Sequence, residues 1–462
     1  MKWLASVLVV ACCLLTAIVG LAVDPPVLQG PTSFACYPTG IRPSDITSFD
    51  DDGDGWIDLA VSCYGSSNVW TYTNLGAGVF APISPAAEVP TGPVGICGGQ
   101  LVPEWGEQAA VLSQFARAIS MVDNNARKSF MSPPLVVPVA LAGGNLDSDA
   151  LLDLAVIDAS TGLLSWYSST VGVWSNTPGT LATPVDVAIG DLNNDGWGDL
   201  VLAGDDIPNG KILVFMSTGV VGYPAVGFSA PLVINLTAFG PEAIDIADFN
   251  GDGFNDLVVV GNDAMNEGWA QVFLNTVNPV GFTAMSAKKT WGLQASDVVA
   301  ANLDGFGLPD FAVTNYGSQT VTIFLTEATG MAAASFKVRE GLCLDQHNVA
   351  QIIYGAVFKY ALDCGFYPVA LTAGDYDLNG KADLAIAFEA ASSTIDPEIP
   401  SCIEVIFDIA CGFQGKDNFP QKAHNEVVGE WLNYLEQLPA ESTECPNFSE
   451  CGEPNGADSG NP

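Results

Sequence analysis

VDVAIGDLNNDGWGDLVLAG (Val185–Gly204) runs an apolar segment into an acidic turn and out into a second apolar segment. Apolar, β-branched runs bounded by Gly, Asn and Asp read as strands joined by a hairpin. The same pattern returns as SDITSFDDDGDGWIDLAVSC (Ser44–Cys63), VALAGGNLDSDALLDLAVID (Val139–Asp158) and AIDIADFNGDGFNDLVVVG (Ala243–Gly261). It returns again as SDVVAANLDGFGLPDFAVTN (Ser296–Asn315) and VALTAGDYDLNGKADLAIAF (Val369–Phe388). A third apolar segment follows several copies: KILVFM from Lys211, AQVFLN from Ala270, TVTIFL from Thr320 and IEVIFD from Ile403. The acidic turns start at Asp50, Asn145, Asp191, Asp248, Asn302 and Asp375. A self-similar period of about 50 residues with four short strands is the size of a propeller blade.

The gap from Asp50 to Asn145 is twice the usual period. Within it, PVGICGGQLVPEWGEQAAVLSQF from Pro93 keeps the strand-turn-strand rhythm without the carboxylates. Counted as a degenerate second blade, it brings the number to seven. The expected architecture is all-β, a seven-bladed propeller over residues 23–418, with an insertion at 341–366. A short helix over 419–440 and a disordered tail over 441–462 follow. Val427, Val428, Trp431, Leu432, Leu435 and Leu438 share one helical face, and the tail is rich in Glu, Ser, Pro, Asn and Gly.

The turn DLNNDGWGD places side-chain oxygens at positions 1, 3, 5 and 9: Asp191, Asn193, Asp195 and Asp199. Gly196 at position 6 permits a sharp backbone turn, after which position 7 can present its carbonyl. Hard oxygens in this alternation suit Ca²⁺. Three further turns match fully: Asp50, Asp52, Asp54 and Asp58; Asp248, Asn250, Asp252 and Asp256; Asp375, Asp377, Asn379 and Asp383. A fifth keeps Asn145, Asp147, Asp149 and Asp153, but Ala150 replaces the glycine. The turn from Asn302 has Phe306 at position 5, keeps only Asn302, Asp304 and Asp310, and is expected weak or empty. Asp, Asn and Gly also form ordinary turns, yet that preference does not produce a repeated four-oxygen spacing.

These motifs resemble the FG-GAP or VCBS repeats, the propeller repeats of integrin α-subunits and of many bacterial exported proteins, over roughly residues 35 to 415. The resemblance implies calcium holding blade hairpins rigid, with protein or glycan partners on the propeller surface. Blade 2 and the turn at Asn302 depart from it.

Net charge is −38, from 52 acidic and 14 basic residues. That balance excludes nucleic-acid and anionic-membrane partners, which need Lys and Arg. Residues 1–22 read as an export signal, with Lys2, an apolar core and Gly20-Leu21-Ala22 at the cleavage site. No later stretch reaches 18 uninterrupted apolar residues, so no integral membrane span is expected once the signal is removed. The expected location is secreted or cell-surface. Nine cysteines remain after the signal, and Cys343–Cys364 and Cys402–Cys411 are the expected pairs.

Only two histidines occur, His347 and His424, and no nucleophile-elbow, zinc-protease or phosphate-loop motif is present. The expected function is a non-catalytic binding or adhesion module for an extracellular protein or glycan. The alternatives are a polysaccharide lyase or glycoside hydrolase on the same scaffold, or a structural envelope or matrix component. In a propeller blade, connectors from strand one to two and from three to four share a face. The metal turns therefore fall on one face. The insertion, taken to follow the outer strand of blade 6, is expected on the other.

Overall fold

The computed structural model describes residues 34–406 except 103–105, 124–128, 132–134, 148, 178–180, 205–209, 220–226, 277–280, 306, 328–334, 337–340, 345–349, 354–356, 359–365 and 391–400. The expected export signal, helix and tail, with both histidines, lie outside these residues. So do Cys364 and Cys411.

The fold is a seven-bladed β-propeller. Blade 1 comprises Pro43–Phe49, Asp58–Cys63, Asn68–Asn74 and Phe80–Pro82 in antiparallel order. Blades 2 to 5 repeat this order, with inner strands Pro93–Gly99, Pro138–Gly144, Pro184–Gly190 and Gly240–Ala247. The inner strands of blades 6 and 7 are Ala295–Ala301 and Phe366–Gly374. Each inner strand packs against the next, and that of blade 7 packs against that of blade 1, so the ring closes.

Closure uses the start of the chain. Phe34–Pro38 pairs with Cys402–Ile406 and becomes the outermost strand of blade 7, with Phe34 opposite Ile406 and Pro38 opposite Cys402. One sheet thus joins both ends of the propeller, and the last blade is completed by residues that precede the first.

The second strands are wholly buried, as in Asp58–Cys63, Asp153–Asp158 and Asp199–Gly204. This explains why they are apolar on both faces: each is sandwiched between neighbouring blades. The hydrophobic clusters follow the interfaces. Leu59, Val61 and Tyr72 of blade 1 pack with Ala385, Ala387 and Val405 of blade 7. Leu257 and Val259 of blade 5 pack with Val201, Ala203 and Val214 of blade 4. Fully burying each leucine or valine among them contributes roughly 1.5–3 kcal/mol.

All seven inner strands carry a register shift near their start, as between Pro43 and Asp45, Pro184 and Asp186 or Pro368 and Ala370. Six of these shifts begin at proline, which has no N–H to give the ladder, and the seventh begins at Ala295.

The insertion is placed differently from the sequence expectation. Val357–Phe358 pairs with Val321 and Thr322 and forms the fourth strand of blade 6. The chain between Phe324 and Val357 is therefore a third-to-fourth connector and leaves on the face of the acidic turns. The sequence suggested the other face because a two-residue strand carries too little apolar pattern to mark the outer edge. The connector holds two short hairpins, one pairing Thr326–Glu327 with Ser335–Phe336 and one pairing Gly341–Leu344 with Ala350–Ile353.

Candidate metal centres

Each acidic turn joins the first strand of a blade to the second, so the six lie on one face. In the four complete turns the position-1 aspartate closes the loop on the position-6 glycine. Asp50, Asp191, Asp248 and Asp375 each accept the N–H of Gly55, Gly196, Gly253 or Gly380 on Oδ2, at 2.8–3.0 Å. These glycines sit at φ between 84° and 90°, in the left-handed region that side chains disfavour. Positions 3 and 5 are tied to the same turn: Asp54 N–H donates to Asp52, and Trp56 N–H donates to Asp54.

The result is convergence. Carboxylate oxygens of Asp50, Asp52 and Asp54 lie within 4.8 Å of one another, as do those of Asp375, Asp377 and Asp383. In blades 4 and 5 an asparagine stands at position 3, and Asn193 and Asn250 donate to Asp195 and Asp252 at 2.9 and 3.0 Å. Three carboxylates packed this closely repel one another unless a cation or protons intervene. Oxygen donors of this kind suit a hard divalent cation.

Position 9 differs from the rest. Asp58, Asp153, Asp199, Asp256, Asp310 and Asp383 are each the first residue of a second strand and are fully buried. Asp58 accepts Asp51 N–H on one oxygen and Asn74 N–H on the other, at 2.9 and 2.7 Å. Asp199 does the same with Leu192 and Ser217, and Asp256 with Phe249 and Asn275. The residue brackets the loop to the end of the third strand. Burial pushes the carboxyls of Asp58 and Asp153 up to about 6, and those of Asp199, Asp256 and Asp310 to about 7. The neighbouring loop carboxylates add to the rise.

Blade 3 is built otherwise. Ala150 at position 6 stays out of the left-handed region, and the Asn145 amide donates instead to the Asp149 carbonyl. Ser168 and Thr170 donate to Asp147 and Asp149. Burial raises the Asp149 carboxyl, and Asp147 beside it adds to the rise. The other oxygen of Asp147 is buried without a hydrogen-bond partner, an acceptor that a cation would satisfy. In blade 6 the Asn302 side-chain oxygen is buried without a partner too. There Lys381 from the next blade lies on Gly305, with its Cγ 2.8 Å from where a Cβ would stand. The residues present fit a hard cation best in blades 1, 4, 5 and 7.

Sequence reasoning placed the seventh turn, in blade 2, but gave none of its residues a role. Gln100 to Gln108 has the same nine-residue length as Asp50 to Asp58. Gln108 opens the second strand of blade 2 and accepts the N–H groups of Leu101 and Val102 at 3.2 and 3.1 Å. A neutral amide thus holds the start of the loop there, as one oxygen of position-9 aspartate does elsewhere. The turn length was the available signal.

The opposite face carries the second-to-third connectors. Phe115 and Met265 are 64% and 81% exposed there. A run of contacts crosses four blades. Phe115 lies 6.0 Å from Tyr64, whose ring is 5.2 Å from the Arg42 guanidinium. Arg42 donates to Glu389 at 3.0 Å, and Tyr316, which stacks on Tyr367 at 4.8 Å, donates to the same carboxylate.

No helix among the described residues is long and apolar enough to cross a membrane. Cys63 and Cys97 carry free thiols. Both expected cysteine pairs have a partner outside the described residues.

No family model matches the sequence. Integrin alpha-3 from Cricetulus griseus is 33% identical over 97 residues, 19% of this chain and 9% of that protein. The Mus musculus protein is 32% identical over 98 residues, with the same coverage. The matched segment therefore spans under a tenth of integrin alpha-3. Among solved structures, BBS1N in complex with ARL6DN (lead-soaked crystal) gives a TM-score of 0.53 at 13% identity, covering 82% of this chain and 97% of that one. U3-55K gives 0.51 at 10% identity, covering 82% and 99%. At such identities these two likenesses concern the fold alone, and the chain shares the propeller architecture with both.

Proposed function

We propose that the protein is an exported, calcium-binding β-propeller that acts as a non-catalytic binding or adhesion module for an extracellular protein or glycan. The observation that carries the binding role is the run from Phe115 through Tyr64, Arg42, Glu389 and Tyr316 to Tyr367. Rings and a charged pair on rigid connectors are typical of recognition surfaces, and exposed rings suit both protein and sugar faces. The calcium role is supported by the converging carboxylates of Asp50, Asp52 and Asp54 on the other face. The partial likeness to integrin alpha-3 points the same way.

Two measurements test this. A ligand that binds only the native state adds about 2.7 kcal/mol per site at a hundredfold excess over Kd. The melting temperature should therefore fall clearly when calcium is replaced by EDTA; an unchanged value would make the loops ordinary turns. A glycan and protein binding screen, with and without calcium, should yield a ligand whose binding is lost in Phe115→Ala/Tyr316→Ala while melting stays calcium-dependent. Equal binding by that variant would move the partner site away from this face.

A further inference from the structure

The four complete loops occupy blades 7, 1, 4 and 5, two neighbouring pairs in the closed ring. In each pair one asparagine reaches from the later blade to the loop of the earlier one. Asn275 ends the third strand of blade 5 and is buried. Its N–H donates to Asp256 Oδ1 at 2.7 Å, and its side-chain amide donates to the Leu192 carbonyl at 2.6 Å. Asn74 ends the third strand of blade 1 and is buried. Its N–H donates to Asp58 Oδ1 at 2.7 Å, and its amide donates to the Tyr376 carbonyl at 2.8 Å. Leu192 stands between Asp191 and Asn193, and Tyr376 between Asp375 and Asp377, so each amide grips the peptide that joins positions 1 and 3.

Among the described residues, blades 3, 4 and 6 lack this reach. The matching residues are Ser169, Ser217 and Thr326 in blades 3, 4 and 6, each with its N–H on the position-9 aspartate. Their hydroxyls bond within their own blade, to Asp153, Gly219 and Pro309. Blades 4 and 5 share two more bonds: Asn255 donates to the Asp191 carbonyl at 2.8 Å, and Asn194 donates to the Gly253 carbonyl.

Resting on the calcium reading above, we propose that the complete loops work as two coupled pairs, blades 4 with 5 and 7 with 1, with Asn275 and Asn74 as the positioning residues. A cation in loop 5 orders that loop as far as Asn255, whose carbonyl accepts from the same Asn275 amide that grips Leu192, so the order passes to Asp191 and Asn193 for the next cation. The ordering entropy of loop 4 is thus spent once for both sites, and linkage makes the effect reciprocal. Direct repulsion between two bound cations acts in the opposite sense, so the sign of the coupling identifies the route.

The test uses the full chain with Trp56→Phe and terbium(III) as the probe. Trp197 sensitises emission from loop 4, and calcium competition gives the affinity. Emptying loop 5 with Asp252→Ala should weaken loop 4 about 5–10-fold. Emptying loop 7 with Asp377→Ala should leave loop 4 unchanged. In Asn275→Ser, the residue type blade 4 already uses there, Asp252→Ala should have no further effect. Absence of terbium and calcium binding in the parent would overturn the calcium reading itself. Binding with loop 4 indifferent to Asp252→Ala, or equally sensitive to Asp377→Ala, would overturn the pairing and leave the calcium reading standing. Coupling that survives in Asn275→Ser would remove the asparagine. The comparison of Asp252→Ala with Asp377→Ala decides the pairing without that variant, should it fail to fold.

Discussion

Asp195 and Asp199 share one turn and one chemical type, and their surroundings separate them. Asp195 is exposed, and its carboxylate contacts only Asn193 and Trp197 of its own loop. Asp199 is buried and holds the N–H groups of Leu192 and Ser217. Asp195→Ala should remove one calcium from the stoichiometry measured by calorimetry and leave stability in EDTA within about 0.5 kcal/mol. Asp199→Ala should cost roughly 2–4 kcal/mol in urea denaturation even in EDTA, because two buried donors lose their acceptor. Equal stability of the two variants without metal would return position 9 to a purely ligating role. The sequence lists positions 1, 3, 5 and 9 as equivalent oxygens because spacing alone does not report burial. Gln108 betrays the difference only once its two accepted bonds are seen.

At the scale of the element, the acidic hairpins were legible because calcium-type spacing demands particular residues at particular offsets. One element was faint and another hidden. The blade-2 hairpin keeps the nine-residue length and the strand-turn-strand rhythm, but glutamine stands at positions 1 and 9. The closing strand FACYP at Phe34–Pro38 is too short and irregular to declare itself, and its partner Cys402–Ile406 is over 360 residues away in sequence. No local pattern encodes a pairing of that span. Removing residues 34–38 should leave the Cys402–Ile406 edge unpaired and open the ring at its seam. An open edge invites pairing with other chains. The truncated protein is expected to melt lower and to elute as aggregate or oligomer in size-exclusion chromatography. A monomer with the parent's melting temperature would show that Phe34–Pro38 is dispensable for closure.

Across the whole molecule, four of the seven inner-strand junctions are also joined by carboxylates outside the metal loops. Asp45, Asp186, Asp245 and Asp297 accept N–H groups from the following blade: Ile96, Ile244, Ala300 and Leu371, at 2.7–2.9 Å. They keep some exposed surface, yet the surrounding inner strands strip most of their water. That desolvation pushes Asp45 and Asp186 up to about 7, Asp245 to about 6, and Asp297 well above its ordinary range. The native state therefore holds protons between about pH 4 and 7 that an unfolded chain has already released, so stability falls as pH rises through that window. Asp58, Asp153, Asp199, Asp256 and Asp310, raised for the same reason, act in the same direction. Asp158 acts in the opposite direction: burial is outweighed by hydrogen bonds from Ser160, Val136, Val137 and Thr161, and its carboxyl is held down at about 2. Its contribution is lost only below about pH 4. In EDTA the melting temperature should thus be several degrees higher at pH 5 than at pH 8, against the usual behaviour of paired carboxylates. Saturating calcium should shrink or reverse the difference, because the cation binds the ionised loops and favours the higher pH. Scanning calorimetry at both pH values, with EDTA and with calcium, reads all four states. A chelated protein that melts higher at pH 8 would mean that the inter-blade N–H bonds outweigh desolvation and that these aspartates are charged clamps throughout.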